Sequence, residues 1–304
     1  IEAENRILIF ATDRGLQSLA GAQVWFMDGT FKVSPPGFSE VYTILSDDLG
    51  NLVPNAFAIL KNKTNDIYVE MFSELNAISE SRGFGSYDPK EIHMDFETAA
   101  MTAITQVFGA GTKFVGCLFH LSKNNFRRVQ TSGLVPLYRD DEEFRNQVKM
   151  IPALAFLPVT DVSEGVRAFR GVIRPKAEEL LDSFDATYVT GKYRNVMRKG
   201  IYTLRRIPPL FPPNIWNIHD VTLEDGERTN NLVEGNNNKF RILVSIDHPN
   251  IYRLIIALRE LESNARTLRA QTLAGAEMQE KGPLLQHVCK NVSEHFVNVM
   301  QQEM

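Results

Sequence analysis

Residues 24–35 read VWFMDGTFKVSP, an apolar run that stops at Asp28 and is followed at once by Gly29. A carboxylate closing a hydrophobic strand is not core material, because burying an unpaired charge is costly. The glycine behind it lets backbone or a ligand come close. The spacing predicts a strand over 23–31, a loop at SPPGF, a second strand over 41–45, a turn at SDDLGN (46–51) and a third strand over 52–60. Strands this close, joined by turn residues, form an antiparallel meander. Asp47 and Asp48 read as residues of the second turn.

The pattern then changes period. Ile67, Met71, Leu75 and Ile78 recur at helical spacing, which predicts a helix over 66–82 with Asn65 as its cap. A short strand over 91–94, a helix over 98–108 and a strand over 113–118 follow. Crossovers of this length imply that the later strands run parallel. From 122 to about 202 the chain reads as helices broken by Pro and Gly, at 142–150, 163–184 and 193–204, and IPPLFPP (207–213) reads as a stiff extended connector. Ile251, Leu254, Ile255, Leu258 and Leu261 form a core-facing stripe beyond it.

Two further acidic stations accompany Asp28. In IHMDFETAA, Asp95 ends a short apolar strand just before a helix, where it could also serve as a cap three residues before Thr98. In RTNNLVEGNNNKF, Glu234 sits among amides on a helix. Asn230, Glu234, Asn237 and Arg241 share one face of that helix, with Leu232, Val233 and Phe240 opposite for packing. Glu97 falls on the same side as Asp95 and could support it. Two strand-end aspartates and a helical glutamate are the oxygen donors that a pair of hard divalent cations requires.

DGTFKVSP, MDFETAA, GCLFH and RTNNLVEG occur here in the order and with the spacing of the catalytic domain of Mutator-like element (MULE) transposases. The chain resembles that DDE-type family from Gln23 to about Arg241. The resemblance implies a ribonuclease H-like α/β fold: a mixed five-stranded sheet flanked by helices, with an all-helical insertion before the catalytic Glu. It divides the chain into a first part of the core at 1–121, the insertion at 122–213 and the completing helices at 214–304. Asp28, Asp95 and Glu234 would hold two Mg²⁺ or Mn²⁺ ions, Asp28 bridging both. The ions would serve hydrolytic cleavage at transposon ends and transfer of the freed 3′-OH into target DNA.

Further roles follow from the same resemblance. Cys117 and His120 match the family's Cys/Asp-x-x-His motif, which implies that His120 is catalytic, partly exposed, close to the acidic cluster and facing DNA. A structural zinc site completed by His287 and Cys289 is the alternative for that pair. Lys123, Arg127, Arg128, Arg198, Lys199, Asn237, Lys239 and Arg241 are candidate DNA contacts, the alternative being solvated helix faces. After Glu-Gly the family usually carries an aromatic residue and then His, whereas this chain has Asn236 and Asn237. An amide there can bond phosphate but cannot exchange a proton near neutral pH. That departure keeps open a domesticated, non-catalytic transposase-derived DNA-binding regulator, and a nuclease without strand transfer shares the same site.

Composition sets the outer limits. The chain has 304 residues, 43% hydrophobic and 23% charged, a globular balance that suits a core domain carrying an insertion. No apolar run approaches the roughly 18 residues of a membrane span, and the first residues lack a signal-peptide pattern. The start at Ile1 suggests a piece of a longer protein. Two cysteines, Cys117 and Cys289, fit a reducing compartment, so the sequons at Asn62 and Asn291 read as chance matches. A net charge of −4 does not advertise DNA binding, although carboxylates gathered for metal lower the total. The expected partners are DNA and further copies of the chain, with no membrane, and the expected location is the nucleus.

Overall fold

The computed structural model describes residues 6–198, 201–223 and 231–275; of 198, 201, 231, 232 and 234 it describes the backbone alone. The described chain is α/β and falls into two units, residues 1–115 with 230–280 and residues 116–229 with 281–304.

The first unit is built on a mixed sheet of six strands rather than five. The additional strand β1 (Ile7–Ala11) pairs antiparallel with the far strand of the meander, Ile7 opposite Leu60. Its sequence, ILIFA, has no alternation, so periodicity could not separate it from a helix fragment. Helix α1 (Asp13–Gly21) follows, capped by the Thr12 hydroxyl, which accepts from the Gly15 amide at 3.1 Å. The meander is β2 (Val24–Thr30), β3 (Glu40–Asp48) and β4 (Asn51–Leu60). Leu49 (φ 57°) and Gly50 (φ 80°) make the tight turn between β3 and β4, and the Gly50 amide donates to the Asp47 carboxylate at 3.0 Å.

Helix α2 (Asn65–Ser81) crosses over to β5 (Glu91–Met94), which lies parallel to β2 with Val24 beside Glu91 and Phe26 beside His93. The α2 cap position belongs to Thr64, and Asn65 instead donates to the Ala99 carbonyl at 3.3 Å. Helix α3 (Thr98–Phe108) and strand β6 (Lys113–Gly116) complete a sheet of order β1-β4-β3-β2-β5-β6. The cap of α3 is Glu97, not Asp95, which leaves Asp95 at the strand end. Tyr42, on β3, packs against Tyr68 and Phe72 of α2.

The second unit holds α4 (Leu118–Thr131), α5 (Val135–Asp140), α6 (Glu142–Ala153), α7 (Val162–Val172) and α8 (Pro175–Phe184). The single helix expected over 163–184 is thus two. Pro175 forces the preceding Arg174 into extended backbone (ψ 148°) and then starts the next helix from its first turn.

The expected all-helical character of the insertion also fails. Residues 193–204 are not a helix: β7 (Lys192–Arg198) and β8 (Ile201–Ile207) form an antiparallel hairpin. Its arginines recur at helical spacing, but Tyr193, Val196, Tyr202 and Thr203 favour a pleated ribbon. Gly191 (φ 82°) sits at its base, where a Cβ would come within 2.1 Å of the Ile207 carbonyl. Beyond the proline-rich connector, short helices α9 (Pro213–Trp216) and α10 (His219–Leu223) close the unit, with Trp216 fully buried and donating to the Tyr188 and Phe211 carbonyls at 3.0 Å each.

The first unit is completed by α11 (Asn231–Val244) and α12 (Ile251–Leu273). Phe240, Val244, Leu254, Leu258 and Leu261 of these helices pack on Val41, Phe57 and Ile59 of the sheet. Each large side chain so buried contributes roughly 1.5–3 kcal/mol. That face of α11 is the one the sequence assigned to packing through Val233 and Phe240, both buried.

Candidate functional site

Adjacent parallel strands place Asp28 and Asp95 together. The parallel pairing of β2 and β5 runs as far as Phe26 beside His93. Asp28 lies two residues further on within β2, opposite Thr43 of β3, and Asp95 directly follows β5, towards the carboxyl ends where open α/β sheets bind ligands. Both line one cleft of about 30 Å³ with Gly29, Tyr42, Lys63 and Glu97, room for about one small ion or water. Each aspartate accepts from the amide that follows it, Gly29 at 2.9 Å and Phe96 at 2.6 Å. Their shared surroundings reach Tyr42: burial first, then the charges of Glu97, Glu40, Asp28 and Asp95, push its phenol well above the usual range.

Asn237 donates its side-chain amide to the second oxygen of Asp28. The residue that departs from the family pattern therefore sits on the first acidic station itself. Neighbouring Asn236 donates to the Leu52 carbonyl at 3.3 Å, fixing α11 to the β4 start. Glu234 lies one turn before Asn237 on the same helix, and its side chain falls outside the described part. Among the described residues, no three His, Cys, Asp or Glu side chains gather closely enough to hold a metal. Lys239 and Arg241 are exposed on α11.

The structure also reveals a buried polar group that sequence reasoning missed. Glu40, 1% exposed, takes the Tyr68 hydroxyl on one oxygen and the Lys63 ammonium on the other at 2.9 Å. Tyr68 also donates to Glu97 at 2.9 Å, and Lys63 reaches Glu97 at 3.3 Å. Burial pushes the Glu40 carboxyl up, against the Lys63 and Tyr68 bonds that favour its charge. Burial alone would lower Lys63, but Glu40 and Glu97 outweigh it and raise its pKa. Gly29 makes room for this cluster, since a Cβ there would lie 2.2 Å from Glu40 Oε2. The only sequence hint was Glu97, two residues past Asp95. Glu40 starts β3 after a loop and Lys63 lies in the loop before α2, and neither carries a local pattern.

The remaining candidates belong to the second unit or to undescribed residues. His120 is 8% exposed, buried rather than partly exposed, because α4 turns His120, Leu121, Asn125 and Val129 inward. Lys123, Arg127 and Arg128 lie on the exposed side of that helix. Cys117 is buried at the α4 cap position. His287 and Cys289, the other half of the zinc alternative, lie outside the described residues, as do Asn230 and Lys199; Arg198 ends β7 with only its backbone described. No helix among the described residues is long and apolar enough to cross a membrane.

Residues 24–124, from the start of β2 into α4, match the MULE transposase domain. The match takes in Asp28, Asp95, Cys117 and His120; Glu234 lies beyond it. No curated protein matches the chain. That match points to a transposase-related function.

Proposed function

We propose that the chain is the catalytic core of a DNA transposase, which hydrolyses a phosphodiester at transposon ends and joins the freed 3′-OH to target DNA. The observation that carries this reading is the juxtaposition of Asp28 and Asp95, from neighbouring strands, in the lining of one small cleft, inside the stretch that matches the MULE domain. The donor set fits hard divalent cations, being carboxylate oxygen at the mouth of a rigid sheet. Asp28 and Asp95, with Glu234 from α11, are the residues that would hold Mg²⁺ or Mn²⁺. When bound, two such ions would favour ionisation of the attacking water and stabilise the leaving 3′ oxygen.

The chain's own groups prepare that cleft. The Gly29 and Phe96 amides orient the two carboxylates. Lys63 offsets part of the negative charge by holding Glu40 and Glu97, and Asn237 orients the second oxygen of Asp28. Lys123, Arg127, Arg128, Arg198, Lys199, Lys239 and Arg241 are assigned to DNA phosphates, with His120 kept as the family's candidate near the scissile bond. DNA ends, target DNA and further copies of the chain in the nucleus complete the proposal.

Nicking of supercoiled plasmid and of element-end DNA, beside DNA binding at fixed salt, tests it. Mg²⁺ or Mn²⁺ supports nicking, whereas Ca²⁺, larger and geometrically looser, supports it poorly. Asp28→Asn and Asp95→Asn each abolish nicking and leave binding unchanged or slightly stronger, because less negative charge faces phosphate. A second reading, a DNA-binding regulator derived from a transposase, rests on Asn237 seated on Asp28 in place of the family's His. Protein that binds DNA but never nicks it in Mn²⁺ favours that second reading.

A further inference from the structure

We infer that the β7–β8 ribbon is a DNA-backbone grip whose arginine face seats on duplex phosphates, an inference that rests on the proposed DNA-processing function. Residues 186–219 contain no Asp or Glu, while 192–207 alone carry Lys192, Arg194, Arg198, Lys199, Arg205 and Arg206, in a chain of net charge −4. The hairpin register sorts them. Arg194 lies directly opposite Arg205, with Val196 opposite Thr203 and Lys192 opposite Ile207 on the same side. An open groove of about 540 Å³ runs along the ribbon, lined by Arg194, Val196, Arg205 and Ile207 of this face, by Asn195, Met197 and Arg206 of the other, and by Pro208.

Like charges directly across a ladder repel, and no described carboxylate pairs with Lys192, Arg194 or Arg205. Arg206, on the other face, is occupied differently: it donates to the Thr190 carbonyl at 3.1 Å and secures the ribbon base. Charge on a strand can serve merely to keep edges from pairing. That purpose does not require opposed arginines on one face of a stretch devoid of acids. A polyanion removes their repulsion, and a two-stranded ribbon is of a size that the DNA major groove admits. Tyr193, Tyr202 and Leu204, exposed on the opposite face and outside the lining of that groove, provide an internal control.

The test measures binding of the full chain to a short fluorescent DNA duplex over a range of KCl concentrations. Arg194→Ala/Arg205→Ala should weaken binding roughly 10- to 100-fold at 0.1 M salt and make the slope of log K against log salt shallower by about 2, since each lost phosphate contact removes about 0.9. Arg194→Lys/Arg205→Lys should keep the slope, and a circular dichroism spectrum and melt of the alanine pair matching wild type show that its loss is not unfolding. Tyr202→Ala should leave the slope unchanged. If wild type binds and the alanine pair binds with the same slope, the ribbon assignment falls while the transposase reading stands. If wild type binds no DNA at any salt, both fall.

Discussion

Gly29→Ala is the sharpest perturbation the fold offers. The added Cβ would lie 2.2 Å from Glu40 Oε2 and 2.9 Å from its Cδ, so the carboxylate must move by more than a van der Waals adjustment. It has little room to do so. Lys63 holds that same oxygen at 2.9 Å, Tyr68 holds the other, and the side chain is 1% exposed. Overpacking a filled core costs about 1–3 kcal/mol; the Lys63 ammonium is half exposed, so solvent screens the ion pair and loosening it adds at most about 1 kcal/mol. Lys63 keeps Glu97 at 3.3 Å, so part of the second cost is recovered, and a net loss of about 1–3 kcal/mol is expected. Urea unfolding followed by fluorescence measures it in a Trp216→Phe background, where buried Trp25 reports the first unit. The decisive arm repeats the substitution in Glu40→Ala, whose missing carboxylate leaves space for the new methyl group. There the cost should fall below about 0.5 kcal/mol, a strong coupling between neighbours. An equal cost in both backgrounds refutes the steric argument.

Two other outcomes follow from the same region. Tyr68→Phe removes the hydroxyl that bridges Glu40 and Glu97, so stability should drop by about 1.5–3 kcal/mol, the value of a bond to a charged group; a denaturant midpoint unchanged from wild type contradicts this. At Glu91, burial pushes the carboxyl up, but hydrogen bonds from Lys113 and His93 outweigh it and hold the group below its ordinary 4.5. The stabilisation is therefore present above that value and lost as pH falls through the folded-state pKa. Glu91→Gln should be less stable than wild type at neutral pH and converge with it in acid, and a constant gap across a pH series of melts counts against the assignment.

Much of the first unit was legible because its signals are local. Strand 91–94 and helix 98–108 lie where the periodicity put them, since a short apolar run between turns and an apolar stripe at helical spacing each have one good solution. Asp28 and Asp95 stood out as candidates for a related reason: a carboxylate that closes an apolar run conflicts with burial, and the conflict is visible without neighbours. What residues 192–207 alone could not decide was which period wins. Arginines at helical spacing pointed one way, and β-branched and aromatic residues, with Gly191 free to close the ribbon base, prevailed. Strand β1 likewise became a strand only because the edge of β4 was there to pair with it. The Glu40–Lys63–Tyr68–Glu97 cluster belongs wholly to the tertiary structure. Its members come from a strand start, a loop, a helix and a helix cap, each unremarkable alone. Only packing α2 against the sheet brings them together beside Gly29, with Glu40 and Tyr68 buried and Lys63 reaching in from the surface, so the buried carboxylate depends on each partner. Asn237 shows the same division: its identity is a matter of sequence, but its place on the Asp28 carboxylate was set by the docking of α11 through Phe240 and Val244.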